Sequence, residues 1–262
     1  MKEIQIRKND AGQRLDRFVG KAVPLLPESL LQKYIRLKRI KRNGKGTKRD
    51  VRLVEGDVLQ LYINDEFFER PTEENAWLKI ATPRLDIVYE DENILLADKK
   101  PGVLCHSAGE WSWDTLISNI QAYLRQSGEW DPKAENAFTP ALCNRIDRNT
   151  GGIVIAAKNA EALRILNDKI RDREIDKAYL CVVCGRPKPA EGRLEGYLFK
   201  DAVKNQVYVT KKPQPGAKSA ATEYRTLQSS RGLSLVECRL LTGRTHQIRA
   251  QMAAAGCPLL GD

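Results

Sequence analysis

The sequence predicts an α+β protein, with a small N-terminal α/β module ahead of a larger domain built on a mixed, largely antiparallel sheet. Three observations lead there. At 262 residues the chain exceeds one ordinary domain of roughly 100 to 150. Residues 64–80 open on the acid-rich stretch NDEFFERPTEENAW, which has a proline and no consistent period; they read as a linker between a first domain at 1–63 and a second at 81–262. In that second part strand-like runs outnumber helical ones and do not alternate with them as a doubly wound sheet would require.

The elements follow in order. In the first module Leu30, Tyr34 and Leu37 recur at helical spacing, Asn43-Gly44 supplies a turn, and Val51, Leu53 and the run VLQLYI supply strands. DIVYEDENILLADKKPGVLCH has apolar runs broken at Pro101-Gly102, a pattern of strand, turn and second strand. WDTLISNIQAYLRQSG sets Leu116, Ile120 and Leu124 on one helical stripe, which Gly128 ends. NRIDRNTGGIVIAAK places Asp147 between Arg145 and Arg148, ahead of two glycines and a run that reads as a buried strand. The next helix carries Leu163, Leu166 and Ile170 on one face behind Asn159 as N-cap. KAYLCVVCG, NQVYVT, ATEYRTL and LSLVECRLL read as strands. Last, LTGRTHQIRAQM reads as a strand ending at Gly243 and a helix capped by Thr245, with Ile248, Met252 and Ala255 on its buried face.

Composition removes several classes of function. Apolar residues make up 42% and charged residues 30%, as in ordinary globular chains, and no segment approaches the ~18 apolar residues of a membrane span. The N-terminus has no apolar core followed by a cleavage site, so the expected address is cytoplasmic. Six irregularly spaced cysteines are expected as free thiols. Cys181 and Cys184 form a CxxC, but they lie in a strand-like run where residues three apart face opposite sides. His106 and His246 add no second pair that would complete four zinc ligands, so no metal site is expected, and a thiol-dependent redox role rests on the CxxC alone.

The net charge of +10 is concentrated. Residues 31–52 hold ten Lys or Arg against one Asp, on a segment with an apolar rhythm beneath. A folded module with charge on one face is suited to phosphate, and Lys33, Arg36, Lys38, Arg39, Lys41 and Arg42 are its candidate contacts. Lys204, Lys211, Lys212 and Lys218, around a Pro/Gly turn, form a second basic segment.

GQRLDRFVGKAV, SLLQKYIRLKRIKRNG and VRLVEGDVLQLYI, in that order over residues 12–63, resemble the S4 RNA-binding domain. The resemblance implies two helices, the second basic, closed by a short strand pair, and structured RNA as partner. Further on, DKKPGVLCH, NRIDRNTGGIVIAAK, DREIDKAYLCVVCG and LTGRTHQIRAQMAAAGCPLLGD together resemble the RluA-type, large-subunit family of pseudouridine synthases over residues 94–262. Asn144 and Gly151 stand where that family usually has His and Ser. Carried over residue by residue, the resemblance makes Asp147 the catalytic aspartate, Tyr179 the active-site tyrosine and Arg244 the arginine that pairs with the aspartate. It implies an isomerase acting on structured RNA, most readily 23S ribosomal RNA, as a monomer. The family continues past PLLGD, so the chain is expected to be cut short.

The chemistry asks for such groups. Converting uridine to its C5-linked isomer breaks one bond to the sugar and makes another without oxidation or an activated donor, so no cofactor is expected. An ionised carboxylate can attack the sugar or base, or take a proton from the sugar, and these routes stay open. A nearby arginine favours the ionised form. A phenol beside the ring, or a water it holds, could receive the C5 proton. Arg145 and Arg148 are expected to touch RNA, and His246 and Arg249, three apart on one helix face, to steady the loop or touch RNA with no chemical role. The alternative is a non-catalytic RNA-binding protein on the same scaffold.

Overall fold

The computed structural model describes residues 1–262 apart from 24, 25, 69–76, 78, 79, 108–113, 133 and 202–205. Two compact units emerge, Met1–Asn167 and Asp168–Asp262. The sequence reading placed its linker at 64–80; most of that stretch lies outside the described residues, and Asp65–Phe68 form a short 3-10 turn.

The first unit starts with β1 (Lys2–Gln5), α1 (Leu15–Ala22), α2 (Glu28–Arg36), β2 (Ile40–Arg42), β3 (Lys45–Gly46) and β4 (Val58–Leu61), with sheet order β1-β4-β2-β3. Leu15, Phe18 and Val19 of α1 and Leu31, Tyr34 and Ile35 of α2 pack with Ile40, Leu59 and Leu61 into one core. Of the expected stripe Leu30, Tyr34 and Leu37, Tyr34 is buried and Leu30 packs partly against this core, while Leu37 departs. Leu37 is the C-cap residue and is 55% exposed, because the helix turns its 31, 34, 35 face to the sheet. Beyond this core the module is tied to later residues of its own unit. Asn9 Nδ2 donates to Glu135 Oε1 (2.9 Å), Asn136 Nδ2 donates to Asp10 Oδ2 (2.9 Å), and the Ala160 amide donates to Asn9 Oδ1 (3.3 Å).

The same unit continues with β5 (Ile87–Glu90), β6 (Ile94–Lys99), α3 (Leu116–Gln126), β7 (Ala141–Leu142) and β8 (Gly152–Ala157), with sheet order β5-β6-β8-β7. Leu95 and Ala97 of β6 and Val154 and Ala156 of β8 share a core with Leu116, Ile120 and Leu124 of α3. Thr115 caps α3 by accepting from the Ser118 amide at 3.2 Å, and Gly128 follows at φ +80°, which suits glycine. Pro101-Gly102 does not join two strands. The turn lies at Asp91–Asn93, where Asp91 Oδ1 accepts from the Asn93 and Ile94 amides (2.7 and 2.8 Å); Pro101-Gly102 instead ends β6 and opens a loop. Helix α4 (Ala160–Arg171) begins as expected, Asn159 Oδ1 accepting from the Ala162 amide at 2.9 Å.

The second unit is a five-stranded sheet, β9 (Ala178–Cys184), β10 (Glu191–Asp201), β11 (Gln206–Thr210), β12 (Lys218–Ser230) and β13 (Leu233–Leu240), followed by α5 (Gln247–Ala254). Its strand order is β11-β10-β12-β13-β9. Val183, Tyr224, Val236, Cys238 and Met252 form its core. Every pairing between named strands is antiparallel, in line with the expected α+β class. The turn into α5 differs from expectation. His246, at φ +53°, is the N-cap instead of Thr245, and the helix buries Gln247, Gln251 and Met252 while Ala255 is exposed.

Candidate active site

The loop between β7 and β8 carries Asp147 and is held from several sides within the first unit. Asn144 Oδ1 accepts from the Ile155 amide of β8 at 2.8 Å and its Nδ2 donates to Ile153 O at 3.4 Å, so the side chain ties the loop's start to β8. The Cys105 thiol donates to Ile146 O (3.4 Å), the Gly102 amide to Arg148 O (2.8 Å) and Arg148 Nε to Gly102 O (3.1 Å). The Thr150 amide closes a turn on Asp147 O (3.1 Å). Gly151 belongs to the same fit: a Cβ there would sit 3.2 Å from Pro101 Cδ and 3.5 Å from Lys99 O, so a side chain would press the two loops apart. Asp147 is half-buried, with Arg145 and Arg148 exposed on either side. Its carboxylate thus stands on a fixed backbone within reach of solvent.

Lys99, which the sequence reading did not single out, lies beneath this loop. It is 2% exposed, and its ammonium donates to three carbonyls, one of them Arg148 O. Burial pulls its pKa below the ordinary lysine value, against the charges of Cys105 and Asp147. In the sequence it is the first of two adjacent lysines, and nothing distinguishes it from Lys100, which is exposed and pairs with Asp86 and Asp98 (2.7 and 2.9 Å).

Tyr179 and Arg244 belong to the second unit. Tyr179 sits on β9 opposite Cys238 of β13, half-buried against the core. Arg244 is half-buried on the turn ahead of α5, its Nε donating to Ser219 O at 3.0 Å. Two glutamines hold this turn. Gln247 Oε1 accepts from Thr242 Oγ1 (2.8 Å) and the Arg244 amide (3.0 Å), while its Nε2 donates to Ala221 O and Thr222 Oγ1 (3.0 and 2.9 Å). Gln251 accepts from Thr222 Oγ1 (2.6 Å) and donates to Leu194 O (2.9 Å). The spacing of Gln247 and Gln251, four apart beside Met252 on one helix face, is the signal by which they could have been found. Arg244 lines a cavity of about 270 Å³ with Arg171, Arg173 and Lys177, all from the second unit.

Of the expected RNA contacts, Lys33, Arg36, Lys38 and Arg39 are exposed on α2 and the turn after it. Arg39 lies over the Tyr34 ring and Lys41 over the Tyr62 ring, each 5.2 Å from the centroid. Arg42 is ion-paired with the buried Asp57 (2.6 Å), and Arg249 with Asp262. The six cysteines are free thiols; Cys181 faces the core with its sulfur 3.9 Å from that of Cys238, on the same side of β9 as Tyr179. Among the described residues no group of three or more His, Cys, Asp or Glu is placed to hold a metal ion, and no helix is long and apolar enough to cross a membrane.

The described residues thus join an α+β chain with antiparallel sheets and a basic N-terminal module to a half-buried Asp147 on a loop pinned by hydrogen bonds. Residues 93–254 match the family model for RNA pseudouridylate synthase, and the chain belongs to that family: it is an RNA pseudouridine synthase, an isomerase acting on RNA. It is 33% identical over 261 residues to an uncharacterized RNA pseudouridine synthase of Mycoplasma genitalium, covering 98% of this chain and 79% of the relative. It is 31% identical to the ribosomal large subunit pseudouridine synthase C of Rickettsia bellii (95% and 81% covered). With the ribosomal large subunit pseudouridine synthase D of Neisseria meningitidis it shares 30% identity (96% and 63% covered). The human RNA pseudouridylate synthase domain containing 4 has a similar fold, with a TM-score of 0.54 at 23% identity over 67% of each chain.

Proposed function

We propose that this protein isomerises a uridine of large-subunit ribosomal RNA with Asp147 as its catalytic carboxylate. The observation that carries the reading is the half-exposed acid on a loop pinned through Cys105, Gly102 and Lys99, inside the segment that matches the family. The reaction breaks the bond from N1 to C1′, turns the base, and forms a bond from C5 to C1′; C5 loses a proton and N1 gains one, so the base keeps its composition. Asp147 must be ionised to act as nucleophile or base. By resemblance to the family, Arg244 and Tyr179 are the further site residues: an arginine favours an ionised acid, and a phenol, or a water it holds, can receive the C5 proton.

A uridine in folded RNA hides these bonds, so it is extruded at a cost of a few kcal/mol that binding elsewhere must offset. Residues 1–63 act as an S4-like module that meets the flanking backbone through Lys33, Arg36, Lys38, Arg39 and Lys41, while Arg145 and Arg148 contact phosphates beside the acid. Arg42 and Arg249, already paired, contribute less. Large-subunit RNA is favoured because relatives similar over most of this chain carry that substrate in their names.

Tritium release from RNA labelled at uridine C5 tests the reading. Asp147→Ala should lower it by about 10⁴-fold or more, the scale seen when a reacting group is removed, with RNA affinity within a few-fold. Activity within tenfold of the unaltered enzyme would refute it, as would an unaltered enzyme that releases no tritium from large-subunit RNA.

A further inference from the structure

Lys211, from the second basic segment, lines a cavity of about 440 Å³ in the second unit; Lys204 of that segment lies outside the described residues. The shape of the cavity follows from strand alternation. On β10 the side chains of Arg193, Glu195 and Tyr197 share one face, and opposite the last two, on β12, stand the small residues Ala221 and Ser219. The sheet surface therefore dips between longer side chains. Leu241 and Thr242 wall the dip, and together with Arg173, which follows α4, they also line the neighbouring cavity of about 270 Å³ that contains Arg244.

Arg173 stands where a helix ordinarily takes glycine. The Glu174 amide donates to Lys169 O (2.9 Å) and the Arg173 amide to Ile170 O (3.4 Å), the Schellman ending of a helix, and Arg173 occupies its left-handed position at φ +61°. A side chain is strained there and glycine is not, so the local fold gives no reason for an arginine. Its charge supplies one. Among the described residues, the exposed Arg173 and Lys211 have no ion pair or side-chain hydrogen bond, whereas Arg193 pairs with Glu195 (2.6 Å) and Arg171 with Asp168 and Asp172 (2.7 and 3.0 Å). Two uncommitted cations thus line a polar hollow that also holds a half-buried phenol ring, Tyr197.

We propose that this hollow is a second RNA subsite: it takes one unstacked nucleotide of a single-stranded stretch beside the target uridine, with the phosphate on Arg173 and Lys211 and the base against the Tyr197 ring. Cations along a groove with an aromatic ring among them are how proteins hold single strands without reading sequence. The volume lies within the range of about 300 to 1,000 Å³ for pockets that enclose small ligands. A duplex does not suit it, because paired bases stay stacked inside the helix and cannot reach a ring in a depression. Glu195 neutralises the Arg193 end, so the phosphate belongs at the Arg173 and Lys211 end. That the strand runs on to the target rests on Arg244 belonging to the active site; occupancy of the hollow does not.

The test uses the full chain and a short oligouridylate carrying 4-thiouridine. Irradiation and mass spectrometry should place a cross-link on Tyr197 or its neighbours on β10 and β12; cross-links confined to other parts of the chain would overturn the proposal. Arg173→Gly removes the charge and gives the left-handed position the residue it favours, so Tm should hold or rise while affinity for the oligonucleotide falls about tenfold, the lower end for a hydrogen bond to a charged group. With Lys211→Gln added, the slope of log affinity against log salt should become shallower by about 1.4, two phosphate contacts' worth. Tyr197→Phe should bind like the parent, and Tyr197→Leu should lose about tenfold, since the ring and not the hydroxyl does the stacking. For large-subunit RNA, Arg173→Gly should raise KM with a much smaller change in kcat. Parental affinity and salt slope in the folded double variant would sink the subsite, and so would displacement of the oligonucleotide by uridine monophosphate at equal nucleotide concentration. Cross-linking and affinity need no turnover, so they succeed or fail independently of Asp147.

Discussion

The basic module and the Asp147 loop have opposite arrangements of charge. In the module the displayed groups are cations, Lys33, Arg36, Lys38 and Arg39, and the buried charge beneath them is an acid: Asp57, 6% exposed, accepts from the Val54 amide and Asn43 Nδ2 (2.8 Å each) and pairs with Arg42. In the loop a half-buried acid, Asp147, stands between the exposed Arg145 and Arg148, and the buried charge is the cation Lys99, with its three carbonyls. In both, one desolvated charge gathers the backbone of a turn that the surrounding sequence would leave loose. The difference lies in the partners. Asp57 has a guanidinium beside it, and the Val54 main-chain amide and the Asn43 side-chain amide donate to it, so its charge is stabilised locally. Lys99 has carbonyl dipoles in direct contact, and burial holds its pKa below the ordinary lysine value.

The largest way to break the comparison is Asp57→Ala. It should destabilise the first unit by about 2 to 4 kcal/mol in urea unfolding, at or below the range for a fully buried pair because Arg42 keeps some access to water. A change below about 0.5 kcal/mol, ordinary for a surface site, would show that Asp57 organises nothing.

Next come the pH dependences. Burial works to raise the Asp57 pKa, and hydrogen bonds from Val54, Arg42 and Asn43 outweigh it, leaving the group below the usual carboxylate value. The stability it contributes is present above about pH 4 and is lost as pH falls through the depressed folded value. For Lys99 the folded pKa is lowered, so between it and the unfolded value of about 10.4 the unfolded chain holds more protons and stability rises with pH. Chemical denaturation of Lys99→Gln should lack that alkaline rise, and Asp57→Asn should lack part of the acid loss; equal profiles in variant and parent would contradict the assignment.

The smallest effect concerns the displayed cations. With roughly five phosphates neutralised by the module, log affinity should fall with log salt at a slope of about −3 to −4, and Arg36→Ala should make it shallower by about 0.7. A slope indifferent to Arg36 would remove α2 from the RNA interface.

Much of this was legible in the sequence, and the misses have physical causes. Helix α3 was readable because its apolar stripe and its terminal glycine agree with one another, and the structure adds the Thr115 cap. Strand β10 was not, because Gly192 and Gly196 interrupt its pattern. Those glycines answer to neighbours a sequence cannot show: a Cβ at 196 would meet Thr210 O at 3.2 Å, and one at 192 the Tyr224 ring at 3.3 Å. Strand β1, four residues with little apolar content, exists through pairing with β4. Asp147 could be found from its motif. Lys99 could not, since burial that depends on the closing of two distant loops leaves no local pattern, and Gln247 was hidden because a polar residue facing a core reads as surface.

The Arg148 carbonyl is gripped by a side chain 49 positions earlier in the chain. That grip depends on the tertiary pairing of β6 with β8, so no local segment of the chain can make it alone.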